Sequence, residues 1–240
     1  MPVDSWSSER PSDEEIFDAL CAKVKGRVPE FEIRYKSKSY WHRILGKLLF
    51  FNKAYMKRVT TTLRYNVWFP DESFVKDSKW LAFKILAHEY VHLLDRQTHP
   101  VIFEKLYAIP QSLFVFSLLA LMAIWFSNWW LVSLVALIFL APIPSRTRAE
   151  LEMRAYAMGI AINMWRHGDV LPSTKEWMVE TFKSWTYYRM CPYPDRITDW
   201  IDSVEQGVRN IDTVGSTSSI LDLSEAYEDV YELLTGITFD

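Results

Sequence analysis

Residues 79–97 read Lys79-Trp80-Leu81-Ala82-Phe83-Lys84-Ile85-Leu86-Ala87-His88-Glu89-Tyr90-Val91-His92-Leu93-Leu94-Asp95-Arg96-Gln97, and this stretch decides the fold. Leu81, Ile85, Ala87 and Val91 recur at helical spacing, with Asp77 or Ser78 in front as an N-cap, so a helix is expected over 79–97. His88 and His92 then stand at i and i+4, one turn apart on one face. Two imidazoles in that relation can bind one Zn²⁺. Glu89 lies beside them, where a carboxylate can take a proton from a water activated by the metal. With 5 His and 16 Glu in 240 residues, a chance HExxH is expected in roughly one shuffled chain in 150, so the match outweighs a bland surface helix.

Working outward on the N-terminal side, residues 59–69 carry Val59, Thr60, Thr61, Thr62, Tyr65, Val67, Trp68 and Phe69, which is strand composition, and Pro70-Asp71-Glu72-Ser73 closes it as a turn. Residues 31–35 alternate as a second strand, whereas 48–57 have no clear period. Ser12-Asp13-Glu14-Glu15 is a capping-box pattern opening a first helix over about 12–25, behind a polar lead-in at 1–11. Asp4, Glu9, Asp13, Glu14 and Glu15 make that end acidic, which argues against a secretory signal peptide.

On the C-terminal side, residues 106–145 form 40 residues without a charge, broken by Ser127-Asn128. Helices are expected over about 147–166, 174–190 and 198–209, the second opened by a capping box at Ser173-Thr174-Lys175-Glu176 and ended by Cys191-Pro192-Tyr193-Pro194. Residues 213–219 read as a polar linker. The tail holds seven acids and neither Lys nor Arg after Arg209; Ile220, Leu223, Tyr227, Val230 and Leu234 give it one helical apolar face, so a docked helix is expected. A catalytic zinc needs a third protein ligand. Asp95 lies one turn beyond His92 on the same straight helix and cannot reach the same ion; it reads as a group orienting an imidazole from behind, or as a solvated acid. Glu150 and Glu152, at i and i+2, point to different faces, so only one of them can be the ligand.

Composition narrows the class. Half the residues are apolar and 24% charged, which excludes a disordered chain, and a net charge of −3 leaves no electrostatic case for nucleic acid. The two cysteines, Cys21 and Cys191, match no thiolate metal spacing and no disulfide scaffold. The aromatic load (11 Trp, 12 Tyr, 14 Phe) suits either a large core or a membrane–water interface. His42 carries no pattern, and His99 and His167 read as surface or helix-end residues.

HExxH followed downstream by ExxA on a second helix resembles the gluzincin metallopeptidases. Glu152-Met153-Arg154-Ala155 fits ExxA, whereas Glu150 would put Met153 at the small position. The resemblance therefore implies Glu152 as third ligand, with Glu150 as the alternative, and Ala155 as the small residue that lets the two helices approach. Tyr156 stands where gluzincins often carry an Asp, and its hydroxyl could take over the bond to a ligand. The layout is similar to the membrane gluzincins, including the heat-shock membrane protease and CAAX-prenyl endopeptidase group, and covers about 77–165. It implies an α+β, mostly helical fold. Its zincin-like core would comprise a small sheet, the HExxH helix, an inserted hydrophobic hairpin and a second ligand helix. In zincins, a strand such as the one bearing Thr60, Thr61, Thr62 and Arg64 can pair with an extended substrate.

If His88, His92 and Glu152 meet at one ion, both flanks of the uncharged run lie on one side of it. The run must then go in and come back near Ser127-Asn128, so a membrane-associated hairpin contacting lipid through 110–143 is expected. Lys105, Arg146 and Arg148 on its near side imply a cytoplasmic catalytic domain. The expected organisation is 1–105 with the HExxH helix, 106–145 the hairpin, 146–212 the ligand-Glu helix and its neighbours, and 213–240 the acidic tail. The expected function is membrane-associated, zinc-dependent peptide hydrolysis, with a peptide or protein as partner. The alternatives are a catalytically inactive, membrane-anchored scaffold or interaction protein on the same zincin-like fold and a membrane-perturbing hairpin protein.

Overall fold

A computed structural model describes residues 11–48, 54–100, 113–140, 146–185, 189–214 and 225–236. The lead-in at 1–10, Lys105, and the tail residues Ile220 and Leu223 lie outside these. Among the described residues the order is α1 (Asp13–Arg27), β1 (Glu32–Tyr35), α2 (Tyr40–Leu48), β2 (Thr61–Leu63), β3 (Asn66–Phe69), α3 (Glu72–Asp77) and α4 (Lys79–Thr98). Two 3₁₀-helical arms follow (Leu113–Ile124 and Asn128–Leu140), then α5 (Arg146–His167), α6 (Pro172–Lys183), α7 (Pro194–Val214) and α8 (Glu225–Thr235). The protein is mostly helical with one small three-stranded sheet.

Local signals explain the elements. Ser12 caps α1 through the expected box: its side chain accepts from the Glu15 amide, and the Glu15 carboxylate takes the Ser12 amide at 2.7 Å. Asp71 caps α3 by accepting from the Phe74 amide at 2.8 Å. The box expected at Ser173 is not used. Pro172 already occupies the first turn of α6, where its missing N–H costs nothing, and Leu171 takes the cap position without a side-chain bond. Residues 59–69 form a hairpin rather than one strand, because Arg64 turns the chain at φ 55°.

The sheet order is β1-β3-β2, with β1 parallel and β2 antiparallel to β3. The register aligns Ile33, Val67 and Thr62 in one row across it. Val67 and Phe69 are fully buried, so that face lies on the core, and Trp68 alternates to the other. The core joins Leu20 and Val24 of α1, Phe83, Leu86 and Leu93 of α4, Met158 and Ile162 of α5, Ile197 and Ile201 of α7, and Val230 of α8. Each such side chain contributes roughly 1.5–3 kcal/mol on leaving water. α4 packs against both α1 and α5, and α5 against α7 and α8.

The uncharged run turns back at Ser127, and its two arms pack on each other. Its expected insertion into a bilayer does not hold. Among the described residues no helix is long and apolar enough to cross a membrane. The arms have 12 and 13 residues, against the ~20 that a spanning helix needs. The membrane-associated location, and the cytoplasmic side read from Lys105, Arg146 and Arg148, fall with it.

Candidate metal centre

Helix α4 projects His88 and His92 from one face, with ring centroids 5.0 Å apart and planes at 83°. Helix α5 brings Glu152 to them: its Oε2 lies 3.7 Å from His88 Nε2 and 3.9 Å from His92 Nε2. One donor atom from each residue falls within 4.8 Å of the others, so the group could hold a metal ion. Donors about 2.0–2.1 Å from a common tetrahedral centre stand about 3.3–3.4 Å apart, so the two carboxylate–imidazole distances would close by a few tenths of an ångström around zinc. Two imidazoles and one carboxylate also match the donor chemistry of that ion.

Burial sets the electrostatics. Glu152 is 2% exposed and His92 5%, while His88 keeps a partly open ring. Burial works against the Glu152 carboxylate, but His88 and His92 outweigh it and hold its pKa well below the usual range. Burial likewise opposes a charged His92, and Glu152, Glu89 and Asp95 together overcome it and raise its pKa.

Glu150 does not join the group. It is exposed and pairs with Arg146 at 2.7 Å on its own helix. The two acids diverge because two residues rotate a helix by about 200°. Ala155 is fully buried on α5, in the helix that packs on α4.

Tyr156 meets His88 edge to face, at 4.9 Å and 89°, and is backed by Phe182 at 5.1 Å and Trp177 at 6.0 Å. Its ring walls the imidazole. Asp95 is buried, not solvated, and its Oδ1 lies 3.0 Å from Arg154 NH2, two residues beyond Glu152. It braces one ligand helix against the other. Burial raises its pKa, with Arg154, His92 and His99 pulling the other way. His99 and His167 are exposed, whereas His42 is buried, with Nδ1 2.7 Å from the Tyr55 hydroxyl.

Glu89 sits beside the group, 9% exposed, and accepts a 2.7 Å hydrogen bond from Thr62 Oγ1 on β2. Nearby, Lys36 is fully buried and donates to the carbonyls of Tyr55 and Val59 at 3.2 and 2.9 Å. Burial pushes its pKa down to about 8, against a small opposing pull from Glu89. Neither Thr62 as a partner of Glu89 nor Arg154 as a brace is legible in the motif. For Thr62 the period-2 alternation across β2 was the available signal, hidden by the turn at Arg64. No family model, curated protein or solved structure matches the chain.

Proposed function

We propose that this protein is a zinc metallopeptidase with a zincin-like core of gluzincin type. His88, His92 and Glu152 would hold the metal, and Glu89 would act as general base. One observation carries the reading: two helices bring three donors together, and the buried carboxylate of Glu89, next to His88 in the chain, acts electrostatically on His92 without being one of the three. Zn²⁺, when bound, supplies a Lewis acid for a peptide carbonyl and lowers the pKa of a coordinated water to about 7.

The chain's own residues do the rest. Glu152, buried and anionic, would offset the charge of a cation that it held together with His92 and the partly open His88. Tyr156 beside His88 and the Asp95–Arg154 pair between α4 and α5 limit how far the donors would move to meet an ion. Glu89 is buried enough to keep a strong field yet reachable from the side of His88. It accepts a proton from the attacking water and returns it to the departing amine, as one carboxylate can in both directions.

The test is elemental analysis of purified protein beside hydrolysis of quenched fluorescent casein. About one zinc per chain is expected, lost in His88→Ala and Glu152→Ala. Glu89→Gln should keep the metal and lose hydrolysis by at least ~100-fold. Absence of zinc after supplementation, or full activity in Glu89→Gln, would overturn the reading. A chain that binds zinc and cleaves nothing is the inactive scaffold instead; the exposed Trp125, Phe126 and Trp129 at the hairpin tip favour that second reading.

A further inference from the structure

We propose that Thr62 is a positioning residue for Glu89, its hydroxyl holding one carboxylate oxygen so that the other faces the reacting water. The inference rests on the peptidase reading and extends it to a residue outside both motifs.

The contact is the 2.7 Å bond from Thr62 Oγ1 to Glu89 Oε2. A glutamate side chain has three rotatable bonds and loses more rotamer freedom on fixing than most side chains. A base that must reach a proton at 2.6–3.2 Å gains when that freedom is removed beforehand. A carboxylate has about four acceptor sites, so one hydroxyl donor leaves the second oxygen open to take a proton. Toward a carboxylate, which only accepts, the Thr62 hydroxyl acts as donor.

The fold fixes this donor from a distance. Thr62 pairs with Val67, whose side chain is fully buried, and therefore projects from the core face of the sheet toward α4. A register shift of one residue would turn it to the other face. The turn that sets the register is made at Arg64, whose φ of 55° is costly for any residue with a Cβ, and whose carbonyl accepts from Arg96 Nη1 at 2.9 Å. Arg96 also sets its guanidinium over the Tyr65 ring at 5.5 Å. Helix α4 thus grips the β2–β3 hairpin at two points, Arg96 at the turn and Glu89 at the strand. The hydroxyl is presented to Glu89 by the same helix that carries Glu89.

A merely structural hydrogen bond would make a different prediction from a positioning one, and Thr62→Val and Thr62→Ser separate them. The expected result for Thr62→Val is one zinc per chain with affinity within about threefold of wild type, since Thr62 touches no ligand. Its KM for quenched fluorescent casein should stay within about twofold while kcat falls at least about tenfold. Thr62→Ser, which keeps the donor, should recover most of the lost kcat. Acetohydroxamate binding to the zinc-loaded protein, measured by calorimetry, should weaken in Thr62→Val in the same direction as in Glu89→Gln. Should Val disturb the strand, Thr62→Ala carries the same comparison. Wild-type kcat and hydroxamate affinity in Thr62→Val would overturn the inference alone. So would a loss that Thr62→Ser does not recover. A wild type that binds zinc and cleaves nothing would overturn the peptidase reading and this inference together.

Discussion

The hydroxyl of Tyr90 donates to Asp229 Oδ2 at 2.7 Å, joining the residue after Glu89 to one 139 positions further along the chain. Tyr90 is fully buried and Asp229 nearly so; Lys23 Nζ donates to Asp229 Oδ1 at 3.2 Å, and Arg27 Nε stands 3.5 Å from Oδ2. Burial, then the bond to Asp229, raises the Tyr90 pKa. Two residues before Asp229, Tyr227 donates to the Arg154 carbonyl at 2.8 Å. The acidic helix α8 therefore docks on α4 and α5 through Tyr90 and Arg154 rather than through the metal donors. Tyr90→Phe is expected to cost about 1–3 kcal/mol by leaving a buried carboxylate oxygen short of a donor. Asp229→Ala should cost at least as much, and in a double-mutant cycle by urea denaturation the pair should couple by more than about 0.5 kcal/mol. Additive effects would show the contact to be idle.

Two small residues on α5 should answer oppositely to enlargement. Ala155 is fully buried in the helix that packs on α4, so Ala155→Leu is expected to destabilise by about 1–3 kcal/mol and to weaken zinc binding by separating the helices. Gly159, one turn on, has nothing within 4 Å of an added Cβ. Gly159→Ala should stabilise by about 0.5–1 kcal/mol and leave zinc binding alone. Thermal unfolding with zinc titration of each variant checks both, and equal effects would sink the assignment of Ala155 to the contact.

Lys36 gives the stability a signature in alkali. With its pKa near 8 in the folded protein, against 10.5 unfolded, both states are charged below pH 8, and across pH 8 to 10.5 only the unfolded state holds the proton. Stability contributed by this site must then rise with pH through that window, by up to about 3 kcal/mol. Lys36→Met lacks the titration, so the stability of wild type relative to Lys36→Met should climb between pH 8 and 10.5. A difference that stays flat in urea melts would show that Lys36 remains charged when folded.

Arg64 holds a left-handed conformation that costs a side-chain-bearing residue about 1–2 kcal/mol. The bond from Arg96 goes to its carbonyl, which glycine retains. Arg64→Gly should therefore raise stability by up to about 1 kcal/mol, a gain of roughly 2–4 °C in melting temperature for a chain of this size. A lower melting temperature would mean that the arginine side chain itself supports the turn.

The HExxH face was fully legible in residues 79–97, as was the box at Ser12 and Glu15, because both are set by spacings of three and four along one helix. The periodicity also revealed the helix bearing Glu152 and a docked helix bearing Tyr227 and Val230. Choosing Glu152 over Glu150 from sequence needed a family resemblance, since helical spacing says only that the two diverge. Their separation into a buried donor and a surface partner of Arg146 depends on which side of α5 meets α4. The hydrophobic run was expected to turn back near Ser127 and does; it misled in being assigned to a bilayer, because an uncharged composition does not say whether either arm forms a helix long enough to span one.

What the sequence by itself determined are the local patterns: the one-turn pair His88 and His92 on one helix face, Glu89 next to them in the chain, and the alternation of short helices and strands. What only the tertiary structure decided are the meetings between segments far apart in the chain: Glu152 with the histidines, Asp95 with Arg154, Tyr90 with Asp229, and Thr62 with Glu89. The physical reason is one of range. Backbone hydrogen bonding and side-chain period act over a few residues and can be read in order. Burial is shared among whole helices, and it is burial that selects which polar groups must find one another.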